Sequence, residues 1–182
     1  MSAALHTPAA AASFPRRALA AAIDGLILAV FVQALHWGVA LVFVPRLESA
    51  LAWHLYLLAT VSLPCWVYYA WSEASARHAT LGKRWLGLRV VNVYGATIGA
   101  QAALVRTLVK LVPWEIAHVA LCFPVPVFTS GELPMPRLLF SVYGLLGLYL
   151  AAALLTLKKQ SVHDLVAGTY VVRVAQRASS AS

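Results

Sequence analysis

Charged residues are scarce in this sequence, and acidic residues are the scarcest. Charged side chains make up 11% of the 182 residues, with only six aspartates and glutamates, while apolar residues account for 62%. The mean hydropathy is +0.79. A soluble domain usually carries about 25% charged residues. The chain has too little polar surface to coat itself in water, which excludes an ordinary soluble globular domain and indicates an integral membrane protein.

Cysteine and catalytic motifs are also lacking. The two cysteines, Cys65 and Cys122, each lie within an apolar run, without CxxC spacing. We therefore predict two small buried core residues instead of a metal site or a disulfide. The sequence contains no GxSxG, HExxH or P-loop motif. We expect no enzyme activity, no bound metal and no cofactor.

Positive charge is present in excess, with a formal net charge of +8. In a soluble protein this excess would raise the question of nucleic-acid binding. Here the basic residues flank apolar runs, where lysine and arginine contact lipid phosphates. We expect a bilayer with anionic headgroups on its cytoplasmic side as the partner, and no nucleic acid.

Four apolar runs are long enough to cross the hydrocarbon core, which needs about 20 helical residues. They cover residues 18–44, 50–71, 104–123 and 138–157. The third contains three charged residues and a proline, so a full crossing and an interfacial start both remain open. Residues 14–174 are predicted to form one transmembrane domain. Residues 1–13 and 175–182 are predicted to be disordered ends.

Lysine and arginine cluster on one side of this four-span arrangement. Of the 14 basic residues, 12 fall at the N-terminal end, in the segment between spans two and three, or in the tail; the opposite loops carry Arg46 and Arg137. The positive-inside rule then places both termini in the cytoplasm. The predicted fold is an all-α bundle of four transmembrane helices, N-in/C-in.

Two segments outside the spans have strand character. Residues 86–98 carry β-branched residues around a turn at Tyr94 and Gly95, which predicts a β-hairpin. Residues 169–174 predict a further strand. Because both segments fall on the cytoplasmic side, we expect them to pair into a small sheet that caps the bundle.

Asp24 is the acidic residue of the first span. It follows Arg17 by seven residues, which places it roughly 10 Å deeper along a helix. An ionised carboxylate that faced lipid would cost several kcal/mol, so Asp24 must face the bundle interior. A proton or cation site and a structural contact between helices are equally open.

Glu115 reaches a comparable depth if Arg106 marks the interface of the third span. One hypothesis is that Asp24 and Glu115 share a cavity and hold a proton or a cation between them. The alternative is that Glu115 pairs with Lys110 or Arg106, or lies near the interface. Glu115 and His118 also form an ExxH spacing, which occurs in di-iron bundles, but the second motif such a site requires is lacking.

Asp164 lies just past the fourth span. Ser161 and Asp164 have the spacing of a capping box at the start of a short helix. Asp164 and Arg17 both belong to the cytoplasmic edge, so we also predict a structural charge pair between them. The two interpretations are compatible.

Three stretches together resemble the RDD family of bacterial membrane proteins, named for one arginine and two aspartates. They are residues 16–24 (RRALAAAID), 80–91 (TLGKRWLGLRVV) and 160–169 (QSVHDLVAGT). The resemblance assigns the name-giving roles to Arg17, Asp24 and Asp164. It implies a membrane protein for which sodium–proton antiport or transport of other substrates has been proposed. The chain departs from the family pattern at Gly25 and in the proline-rich segment 124–136.

Two functions are therefore expected. The first is a small transporter or cation/proton exchange component that uses Asp24 and Glu115. The alternative is a non-catalytic membrane scaffold or assembly factor in which the arginine and the two aspartates are structural. In both cases we expect a multi-pass protein of the bacterial inner membrane that forms a homo-oligomer or binds a partner membrane protein.

Overall fold

The computed structural model of the protein describes residues 10–42 and 47–174. These residues are mostly helical, and the predicted tail 175–182 lies outside them. The helices are α1 (Phe14–Val42), α2 (Ala50–Leu57), α3 (Leu63–Ala74), α4 (Leu81–Trp85), α5 (Ala100–Cys122), α6 (Val127–Ser130), α7 (Pro136–Leu155) and α8 (Val162–Val166). The strands are β1 (Leu88–Asn92) and β2 (Thr169–Arg173).

Among the described residues, three helices are long and apolar enough to cross a membrane: Phe14–Val42, Ala50–Ala74 and Pro136–Leu155. Only 17%, 17% and 11% of the residues in their most apolar windows are buried. Their apolar side chains therefore face outward, as contact with lipid requires. α5 is not one of the three, since Arg106, Lys110 and Glu115 interrupt its apolar sequence.

The second of these helices is continuous but changes its winding. α2 and α3 are joined by a π-helical turn, Leu58–Ser62, and Pro64 lies in the first turn of α3. Proline cannot donate a backbone hydrogen bond, and a wider π turn just before it accommodates the change. Cys65 of α3 and Cys122 of α5 are buried free thiols, which confirms the predicted core role.

The two strands pair with each other in an antiparallel sheet, with Val90 opposite Val171. This confirms the predicted pairing of the central segment with the tail. The predicted hairpin is wrong in its second arm, because residues 96–98 form no strand. The Asn92 N–H donates across the turn to the Ala96 carbonyl at 2.9 Å, but farther along this edge of β1 the Val90 N–H donates to the His78 carbonyl at 2.8 Å. The turn itself is present, with Gly95 at φ 83°.

Residues 10–13, the last part of the predicted disordered end, lie against the sheet. Ala11 bridges to Val172 on the free edge of β2, and the Ala12 N–H donates to the Val171 carbonyl at 2.9 Å. Ala12 is fully buried against Ala20, Leu88 and Val171. The unpaired edge of β2 offers backbone groups to this segment, and the small side chain of Ala12 fits beneath it. Residues 1–9 lie outside the described part of the chain.

The short elements gather at one end of the long helices. We call α4, β1, α8 and β2 together the cap. Within it α4 packs against α1 and β1, while α8 packs against α5, α7 and β2. The junction between the cap and the long helices contains the buried charges described next.

Candidate functional site

Half of the protein's acidic residues are buried where the cap meets the long helices. Asp24 is 2% exposed, and Glu73 and Asp164 are fully buried. Taking a carboxylate out of water is costly unless it is paired and hydrogen-bonded. Each of the three has a full set of partners, which differ in kind.

The Asp164 carboxylate forms ion pairs with two arginines that lie on different helices. The Arg17 Nη2 lies 2.5 Å from Asp164 Oδ2, and the Arg106 Nη1 donates to Oδ1. The Ser161 N–H also donates to Oδ2 at 3.1 Å, so Ser161 and Asp164 form the predicted capping box at the N-terminus of α8. Burial alone would raise the pKa of Asp164, but the charges of Arg106 and Arg17 hold that pKa well below its usual range.

Arg106 connects this carboxylate to a second one. It is fully buried on α5, and its Nε donates to Glu73 Oε2 at 2.7 Å. Glu73, at the end of α3, is also contacted at Oε1 by Lys83 from α4 and by Lys110 Nζ at 3.4 Å. The Arg106 Nη1 further donates to the Thr169 hydroxyl at the start of β2. Ion pairs therefore join α1, α3, α4, α5 and α8 in one network, and Thr169 connects β2 to it.

The sequence analysis did not predict that Glu73 is a buried carboxylate or that Arg106 joins two carboxylates. Arg106 reads there as an interruption of a span, and Glu73 as the polar end of another. The signal that was available is charge balance: six acidic residues face 14 basic ones. A carboxylate at a span boundary is then expected to find a cation.

Within the described part of the chain Asp24 contacts no cation; it joins α1 to α4 instead. The Tyr68 hydroxyl donates to Oδ1 at 2.6 Å, the Thr80 hydroxyl to Oδ2 at 2.6 Å, and the Gly82 N–H to Oδ1 at 2.8 Å. The helices approach closely here, because a Cβ at Gly82 would lie 2.3 Å from the Ala20 carbonyl oxygen. Only glycine fits that position without moving α4.

Glu115 lies apart from this network. Its Oε2 is 3.7 Å from His118 Nδ1, which is also 3.1 Å from the Ser62 hydroxyl. Neither predicted cation is its partner, since Arg106 and Lys110 contact Glu73. Asp24 lines a cavity that does not include Glu115. Among residues 10–42 and 47–174, no three histidine, cysteine or acidic side chains are placed to hold a metal ion.

Two of the cavities along the described helices share a lining residue. The interfacial cavity has a volume of about 270 Å³ and is lined by Arg17, Asp24, Lys83, Arg106, Lys110 and His163, with apolar side chains between them. The apolar cavity has a volume of about 530 Å³ and includes Gln33, His36 and His118 among its lining residues. Tyr69 lines both cavities, and the Lys110 Nζ lies 3.9 Å from the centre of its ring.

Apolar helices that face outward and a charge cluster buried beneath a small cap fit a multi-pass membrane protein. The RDD family model matches residues 11–168, so the chain belongs to the RDD family. The match includes Arg17, Asp24 and Asp164. No curated protein and no solved structure gives a match.

Proposed function

We propose that this protein is a non-catalytic membrane scaffold in which the buried charges hold the cap against the membrane helices. The supporting observation is that all six carboxylate oxygens of Asp24, Glu73 and Asp164 already accept from protein donors. A transported cation would have to displace those donors before it could bind. The same contacts hold the cap against the long helices, and we call this set of contacts to Asp24, Glu73 and Asp164 the clasp.

The scaffold is proposed as a bundle of four spans, with α5 as the fourth. α5 has 23 residues, which at 1.5 Å per residue gives a helix of about 35 Å. Its two cations near the cap contact Glu73, so they do not face lipid. Charges that face protein are the ones tolerated at membrane depth.

Both termini are proposed to face the cytoplasm of a bacterial cell, with the protein in the inner membrane. The basic residues of the cap and of the N-terminal end of α1 then lie on the side that the positive-inside rule favours.

A partner helix, from a second copy or from another membrane protein, is proposed to pack on α7. A Cβ at Gly144 or Gly147 would meet no atom within 4 Å, so this small-residue face is open.

Cation and proton flux in proteoliposomes tests the scaffold role. The purified protein is expected to give no sodium-driven pH change above protein-free vesicles, with Asp24→Asn behaving like the wild type. A flux that Asp24→Asn abolishes, while the variant keeps the wild-type thermal unfolding profile, contradicts the scaffold role.

A transport component is the second candidate, and the two cavities favour it. They meet at Tyr69, so a rotation of that ring would join a charged interfacial space to an apolar one. A gate of this kind predicts that Tyr69→Ala increases solute leakage through reconstituted vesicles, whereas Tyr143→Ala, at an exposed position on α7, does not. Equal leakage from both variants contradicts a gate.

A further inference from the structure

The interfacial cavity carries more positive than negative charge. Four cations of the network line it, Arg17, Lys83, Arg106 and Lys110, while the network contains two carboxylates, Glu73 and Asp164. Asp24 adds a third carboxylate, which is bonded to neutral donors. Cations therefore still outnumber carboxylates by one. A poorly solvated excess of charge is stabilised by a counter-ion.

Two arginines of this cavity also have unused donors. Arg17 Nη1 and Arg106 Nη2 are buried, and neither has a hydrogen-bond partner among the described residues. Their guanidinium groups are held together, because the other Nη of each contacts the same carboxylate, that of Asp164. The Asp164 carboxylate thus brings the Arg17 and Arg106 guanidinium groups side by side, and one nitrogen of each group has no acceptor among the described residues.

The form of the donors indicates the class of ligand. A guanidinium presents a planar fork of N–H groups that matches the oxygens of a phosphate, and paired arginines are frequent in phosphate sites. The cavity also has apolar walls from Phe14, Ala18 and Leu150. Arg17 lies in the first turn of α1, the level at which lipid headgroups meet a span.

We propose that the interfacial cavity binds a phosphate-class anion between Arg17 and Arg106. The anion is either the phosphate of a membrane lipid or free inorganic phosphate, which offer the same oxygens to the two guanidinium groups. The site is independent of the scaffold role, because the anion accepts from nitrogens that the clasp does not use.

Binding is measured on the purified full-length protein in a neutral detergent. Isothermal titration with inorganic phosphate, against sodium chloride of equal ionic strength, detects the free anion. Native mass spectrometry with phosphatidic acid, against the diacylglycerol with the same chains, detects the lipid phosphate. Saturable binding in the first arm assigns free phosphate, and retention of phosphatidic acid alone assigns the headgroup.

Arg17→Lys is the informative variant. Lysine keeps one cation for Asp164 but removes the unused Nη1, so affinity for the bound anion is expected to fall at least tenfold. Arg137→Lys, at an exposed position at the start of α7, is the matched control and is expected to bind as the wild type does. If Arg17→Lys fails to fold, Lys110→Gln replaces it, with an expected severalfold loss.

Two results would overturn the site. One is that neither phosphate nor phosphatidic acid binds more tightly than its control. The other is that a folded Arg17→Lys, or Lys110→Gln in its place, binds as well as the wild type.

Discussion

Replacing Asp24 with leucine tests whether its carboxylate is a structural clasp. Leucine branches at the same carbon but is larger, and it leaves the Tyr68 hydroxyl, the Thr80 hydroxyl and the Gly82 N–H without their acceptor. Each buried unsatisfied group costs about 1–3 kcal/mol. The three together give a loss of about 3 kcal/mol or more, although water that enters the site would reduce it.

Asparagine at the same position separates shape from charge. Its carbonyl can still accept from Tyr68 and Gly82, and its amide can donate to the Thr80 hydroxyl after that group rotates. The bonds become weaker because they lose charge assistance, but the protein no longer buries a charge. We expect a net change of at most about 1 kcal/mol, since these two effects oppose each other.

Thermal unfolding in detergent, followed by intrinsic fluorescence, measures both variants. For a chain of this size 1 kcal/mol corresponds to about 2–4 °C in Tm. Asp24→Leu is therefore expected to unfold at least about 6 °C below the wild type, and Asp24→Asn within about 4 °C of it. Gln33→Leu, at an exposed position on the same helix, is the control and is expected to stay within about 2 °C.

Two outcomes would contradict a structural role for the Asp24 carboxylate. A leucine variant as stable as the control would mean that the three donors find other acceptors. An asparagine variant as unstable as the leucine variant would mean that the negative charge itself is required, as an ion site would demand.

Three further predictions follow from the same junction. Gly82→Ala, whose Cβ would meet the Ala20 carbonyl oxygen, is expected to lower Tm by several degrees, while Gly25→Ala, with open space around it, is expected to have little effect; equal shifts would contradict the close approach of α4 to α1. Glu73→Gln removes the charge opposite buried Arg106 and is expected to lower the free energy of unfolding by about 3–5 kcal/mol. Glu48→Gln on the exposed surface is the control and should change it by less than about 0.5 kcal/mol, as measured by chemical unfolding with matched slopes. Burial, with Arg106 and Lys110, lowers the pKa of His163 well below its ordinary value despite the nearby Asp164. The unfolded chain therefore binds a proton that the folded protein does not, and stability is expected to fall as the pH drops below about 6.5. His163→Gln is expected to flatten the dependence of Tm on pH between pH 7 and pH 5, and an unchanged slope would contradict a neutral buried imidazole.

The long helices could be predicted because their signal is local. Runs of about 20 apolar residues leave few alternatives, and α1, the helix Ala50–Ala74, and α7 begin and end within four residues of the predicted spans wherever those ends are described. The pairing of β1 with β2 was predictable because both strands flank spans on the same side. The second arm of the hairpin was not, since beyond the bond from the Asn92 N–H to the Ala96 carbonyl the edge of β1 is taken by His78.

The site was predicted in part, and the missing part is long-range. The contact between Arg17 and Asp164 followed from their shared position at the interface. The donors to Asp24 could not be found in the same way, because Thr80 and Gly82 are 56 and 58 residues away and carry no charge. Glu73 was missed since nothing local distinguishes it from an ordinary polar residue at the end of a span.

The contact between Arg17 and Asp164 also shows why a simple charge exchange is a poor test. Asp164→Arg would place a guanidinium directly against Arg106, which already donates to that position. An exchanged pair is therefore expected to stay unstable even though the two residues are in contact. Neutral substitutions avoid this new repulsion.

A double-mutant cycle on Arg17 and Asp164 tests most directly whether buried charges hold the cap to the helices. Unfolding free energies are measured for Arg17→Gln, Asp164→Asn and the double variant in the same detergent. The contact at 2.5 Å, with Asp164 fully buried, predicts a coupling energy of about 1–3 kcal/mol. Effects that add to within about 0.5 kcal/mol would contradict the structural role assigned to these charges.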